Sequence, residues 1–109
     1  MTRLEALRDL GDRVQHGIAT EFTFMTWAPG LSGTRKENKA MWRAYNGSLD
    51  AAKALHDDLL PGWGKEIYQW DGMGRVELWR GDEIQVFAVD ECCAQAWLLA
   101  IIRALIVIE

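Results

Sequence analysis

Lys65-Glu-Ile-Tyr-Gln-Trp70, Asp71-Gly-Met-Gly74, Arg75-Val-Glu-Leu-Trp-Arg80, Gly81-Asp-Glu83 and Ile84-Gln-Val-Phe-Ala-Val89 form the stretch that decides the fold. Glu66, Tyr68 and Trp70 alternate with Lys65, Ile67 and Gln69, a period of two that suits a pleated strand. Asp71 to Gly74 supplies a turn, Val76 and Leu78 alternate with Glu77 and Trp79, and Gly81-Asp82 turns the chain again. Ile84, Val86 and Ala88 then share one side of a third strand. Residues 65–89 therefore predict a three-stranded antiparallel meander.

Helical periods flank it. Leu4, Leu7, Leu10 and Val14 recur at three- and four-residue steps behind Thr2, which predicts a helix over 2–16 ended by Gly17. Ser48 stands ahead of Leu49, Ala52, Leu55 and Leu59, and Pro61-Gly62 closes that run, which predicts a helix over 48–60. A short helix over 36–44 turns Met41 and Trp42 inward. Asp90 heads a final helix over 91–107 that is apolar almost all round, so it needs cover on two sides or a second chain. Residues 18–34 lose the helical period; Phe22, Phe24 and Trp27 predict a short strand or extended loop before the Pro29-Gly30 and Ser32-Gly33 turns. The expectation is one α+β domain over 1–109.

The chain carries 12 Lys plus Arg against 16 Asp plus Glu, a net charge of −4, which disfavours duplex nucleic acid. Residues 35–45 depart from that balance. Arg35, Lys36, Lys39 and Arg43 against Glu37 sum to +3, leaving −7 elsewhere. A solvated helix face explains such a run; so does a small anion site. The charged, amphipathic start and the short apolar run from Ala96 to Ile102 predict neither a secretion signal nor a membrane span, hence a cytoplasmic protein.

Catalytic material is thin. His16 and His56 are the only histidines, neither paired at helical spacing, and Cys92 and Cys93 are adjacent rather than spaced as metal ligands. No cofactor, metal or catalytic set is expected; His56 and Glu21 are the remaining guesses for a base. His56 reads as a helix-margin residue above Asp57 and Asp58, and the cysteines as buried thiols. The Gly30-Leu-Ser-Gly33-Thr-Arg-Lys36 stretch lacks the phosphate-loop triplet. Of six tryptophans, Trp97 and Trp70 are core candidates and Trp63 suits the helix-to-strand corner. Trp27, Trp42 and Trp79 are left over. They either seal a small core or an interface, or offer faces to a base beside the basic run.

Tyr45-Asn-Gly-Ser-Leu-Asp-Ala-Ala-Lys-Ala-Leu-His56, Leu59-Leu-Pro-Gly-Trp63 and Ala96-Trp-Leu-Leu-Ala-Ile-Ile-Arg-Ala-Leu-Ile106 resemble the phage α–β–α sandwich domain family over about residues 45–107. The resemblance implies a phage or prophage accessory protein, with the Ser48 helix and the last helix packed on the sheet in an α–β–α sandwich. It brings no catalytic residues. Small phage proteins of this kind act by occupancy, which gives two expectations. One is a sponge-like, oligomeric protein that sequesters a phosphorylated nucleotide signal of bacterial immunity, with Arg35, Lys36, Lys39 and Arg43 on phosphate and Trp27, Trp42 or Tyr45 on the base. The other is an inhibitor or modulator that binds a host or defence protein.

Overall fold

The computed structural model describes residues 2–21, 23–24 and 35–108, with the Arg35 side chain outside that description. Among the elements described from end to end are four helices and a sheet, in the order α1 (Arg3–Gln15), α2 (Arg35–Tyr45), α3 (Leu49–Leu59), β1 (Gly64–Trp70), β2 (Met73–Arg80), β3 (Ile84–Asp90) and α4 (Cys93–Ile108). The sheet is antiparallel in the order β1-β2-β3, and the fold is α+β, as the periods predict.

Local chemistry explains the boundaries. Thr2 accepts from the Glu5 amide and caps α1, and Gly17 leaves it at a φ of +69°. Ser48 Oγ accepts from the Ala51 amide at 3.1 Å and caps α3. The β1–β2 turn is tighter than the four residues expected. Trp70 pairs with Met73, so Asp71 and Gly72 alone make the turn, both with positive φ, as a type I′ hairpin requires.

Residues Glu21, Thr23 and Phe24 correct one expectation, since they are helical rather than extended. Thr20 and Thr23 cause this by capping each other reciprocally: Thr20 N donates to Thr23 Oγ1 at 3.0 Å and Thr23 N to Thr20 Oγ1 at 3.3 Å. Phe22 and Trp27 lie outside the described residues.

Helix α4 carries the core. It packs against β2 and β3 on one side and against α1, α2 and α3 on the other, which satisfies a helix that is apolar almost all round. From Ala96 through Ile102 every side chain is buried. Gly74 permits the close approach of α4 to the sheet: a Cβ there would lie 2.5 Å from Cys93 Sγ and 2.8 Å from its Cα.

The sheet has one buried face. Val76, Leu78, Val86 and Ala88 meet α4, whereas β1 is exposed beyond Gly64. Trp70 therefore corrects its core assignment. It sits on the outer face, 47% exposed, because strand period two sends it opposite to Ile67. Leu49, expected inward, is likewise exposed in the first turn of α3. No helix among the described residues is long and apolar enough to cross a membrane.

Candidate functional site

Helix α2 presents the basic run. Lys36, Lys39 and Arg43 follow at three- and four-residue steps and so share one stripe, and all three are exposed. Trp42 and Tyr45 lie on another side, half-buried. Their rings stack with centroids 6.0 Å apart at 22°, and Phe24 closes a triad at 6.1 Å from Trp42 and 5.6 Å from Tyr45. The structure thus brings Trp42 and Tyr45 together against the core and sets the three described cations outside it. Trp27 and the Arg35 side chain fall outside the described residues. Asn38, on the core side of α2, is buried, and its Oδ1 has no hydrogen-bond partner among the described residues.

Three concavities lie elsewhere. One of about 220 Å³ separates α1 from α4 around Arg8, Asp12, Leu99 and Arg103. A second of about 370 Å³ runs between β3 and the end of α4, and a third of about 400 Å³ is lined by His16, Met73, Asp90, Glu91 and Gln95. None of these three is lined by α2.

The histidines are structurally engaged. His56 is 2% exposed; its Nε2 lies 3.0 Å from the Trp63 carbonyl and its Nδ1 3.4 Å from Trp97 Nε1. Burial corrects the helix-margin reading of His56. His16 Nδ1 lies 2.8 Å from the Asp12 carbonyl on the surface. Among the described residues no group of three His, Cys, Asp or Glu is placed to hold a metal ion. Cys92 and Cys93 are half-buried free thiols, and the Cys92 amide donates to Asp90 Oδ1 at 3.0 Å at the head of α4.

The outer face of the sheet is the surface that the sequence reading missed. The register aligns Tyr68 with Arg75 and Val89, and Glu66 with Glu77 and Phe87. Tyr68, Trp70, Phe87 and Val89 are exposed there, Phe87 by 50%. Arg75 lies over the Phe87 ring at 4.4 Å and pairs with Glu77 at 3.0 Å. The Glu66 carboxylate, as hydrogen-bond partner of the Tyr68 phenol, raises the Tyr68 pKa above its usual 10.0. One signal was available: β3 is apolar at both Val86/Ala88 and Phe87/Val89, more than one covered face needs.

With this geometry in view, the chain matches no protein-family model, no curated protein and no solved structure.

Proposed function

We propose that this chain is a non-catalytic binding protein that acts by occupying a partner protein through the outer face of its sheet. The observation that carries the reading is the group Tyr68, Trp70, Phe87 and Val89, exposed together on a face that no described helix packs against. Isolated exposed apolar residues are ordinary, whereas several aromatic ones on one face, flanking the Arg75 and Glu77 of the central strand, have the composition of interface anchors. The charge of −7 outside α2 favours a basic partner. The resemblance over residues 45–107 makes a host or defence protein the expected one.

Affinity capture with quantitative mass spectrometry tests this. The wild-type chain should retain a stoichiometric protein that the Trp70→Ser/Phe87→Ser double variant loses. Identical capture by both would refute it.

A second reading rests on α2, where Lys36, Lys39 and Arg43 form a cationic stripe on the helix that carries the stacked Trp42 and Tyr45. On this reading the chain is a sponge for a phosphorylated nucleotide signal of anti-phage immunity. Denaturing freshly purified protein and analysing what it releases separates the two. A retained nucleotide supports the sponge, and its absence, together with no heat from cyclic dinucleotides in calorimetry, removes it.

A further inference from the structure

The hairpin fixes where every main-chain group of the sheet points. With a two-residue turn, Trp70 and Met73 form a hydrogen-bonded pair, and the alternation of an antiparallel ladder then sends the amides and carbonyls of Arg75, Glu77 and Trp79 to β1. Those of Gly74, Val76, Leu78 and Arg80 go to β3, where they meet Asp90, Ala88, Val86 and Ile84. Gln85, Phe87 and Val89 are left with main-chain groups pointing away from the sheet. One contact corroborates this independently: Arg103 Nη1 donates to the Phe87 carbonyl at 2.8 Å from outside the ladder.

Apart from Arg103 on the Phe87 carbonyl, this edge lacks the devices that keep sheet edges apart. Ile84 to Val89 carries no charge and no proline, whereas β1, the other edge, has Lys65 and Glu66. Beside β3 runs the groove of about 370 Å³ lined by Val86, Phe87, Arg103, Ile106 and Val107. The end of α4 adds Val107 at 52% exposure and Ile108 at 43%.

We infer that this edge pairs with the same edge of a second copy, β3 antiparallel to β3 about a two-fold axis at Phe87, to form a continuous six-stranded sheet. Phe87 is the central residue of Ile84–Asp90, so the strand is its own complement. Gln85 falls opposite Val89 and Phe87 opposite its own counterpart, forming about six main-chain hydrogen bonds. No like charges face each other along the strands, where Asp90 falls opposite Ile84, and the two Arg103 guanidiniums, which lie at the axis, must swing away from each other as the strands pair. The second copy's Phe87 amide replaces Arg103 on the Phe87 carbonyl. The two α4 ends run along the joint and cover Val107 and Ile108.

The contact is small. Seven strand residues and one helix width give a footprint of roughly 23 by 20 Å, below the ~800 Å² per chain of a standard interface, so association belongs at the weak end. The inference rests on main-chain groups of the edge rather than on partner binding; it shares Phe87 and Val89 with the proposed docking face and leaves Tyr68 and Trp70 open.

Sedimentation of the full chain up to about 200 µM, with residue-resolved amide exchange, tests it. The mass should double with concentration. The amides of Gln85, Phe87 and Val89 should exchange slowly in the dimer, while those of Lys65, Ile67 and Gln69 at the other edge stay fast. Phe87→Pro removes an outward amide without touching the β2 ladder, and Val107→Asp charges the exposed helix end. Each should return the monomer mass with an unchanged far-UV spectrum. A monomer at the highest concentration overturns the inference, as do fast exchange at 85, 87 and 89 or a dimer that survives Val107→Asp. If Phe87→Pro unfolds, the exchange pattern and Val107→Asp still decide.

Discussion

Trp97 Nε1 lies 3.4 Å from Nδ1 of His56, and the opposite nitrogen of that ring lies 3.0 Å from the Trp63 carbonyl. A carbonyl only accepts and an indole only donates, so in this arrangement the ring donates through Nε2 and accepts through Nδ1. His56 thereby ties α3 to α4 and to the corner before β1. His56→Leu would strand a buried indole donor and a main-chain acceptor, and should cost about 2–4 kcal/mol in urea unfolding. Trp97→Phe should cost less, since one small acceptor is stranded. A His56→Leu protein as stable as wild type would refute the tie.

Gly74 and Gly64 are both close-approach glycines, with different neighbours. A Cβ at Gly74 comes closest to Cys93, its main chain included, whereas one at Gly64 comes closest to the Trp79 indole, a side chain that can rotate aside. Gly74→Ala should therefore lose about 1–3 kcal/mol through displacement of α4, and Gly64→Ala less. Chemical denaturation of the two variants reads the order, and equal losses would contradict it.

The fold was legible where one rule governed a segment. Thr2, Ser48, Pro61 and the two glycine turns each act through nearest-neighbour chemistry, so helices and meander could be placed from the chain alone. Trp70 and His56 were misplaced for another reason. Which strand face is covered, and whether a histidine at a helix turn is buried, depends on elements distant in sequence: α4 for Trp70 and its Trp97 for His56. Glu21, Thr23 and Phe24 failed locally instead, because a threonine in place of the usual Glu or Gln closes the cap. At α2 the inward Met41 and outward cations followed from period. The stacking of Trp42 on Tyr45 needed Phe24 and did not.

The stripe of Lys36, Lys39 and Arg43 is exposed, which separates stability from binding there. Reversing all three to Glu should leave stability within about 0.5 kcal/mol per site. Any phosphorylated ligand retained by wild type should be lost. Thermal melting and mass spectrometry of released ligand read the two effects. A collapse in stability would mean that these groups support the fold rather than a guest.

Two exposed groups give pH signatures. The Lys53 ammonium, hydrogen-bonded to Asp57, holds that carboxyl below its usual 3.8, so the pair contributes above that value and the contribution fades as pH falls through the lowered one. Lys53→Met should raise the Asp57 midpoint in a carboxyl-carbon titration. For Tyr68 the sign is opposite: Glu66 accepts from the neutral phenol, so Glu66→Gln should bring the Tyr68 midpoint down towards 10.0. Midpoints that do not move would deny both pairings.

Trp70 and Phe87 are half-exposed on the outer face, while Trp97 is 3% exposed between helix and sheet. Removing Trp97 as Ala forfeits a filled core site and should cost about 3–5 kcal/mol. The Trp70→Ser/Phe87→Ser double variant deletes surface that water already reaches, so the folded state loses far less, about 1 kcal/mol or under. The same variant should bind less of a hydrophobic dye, because it takes two aromatic rings off an open apolar face. A double variant that melts as early as Trp97→Ala would show those rings to be covered, and with them the docking surface would be gone.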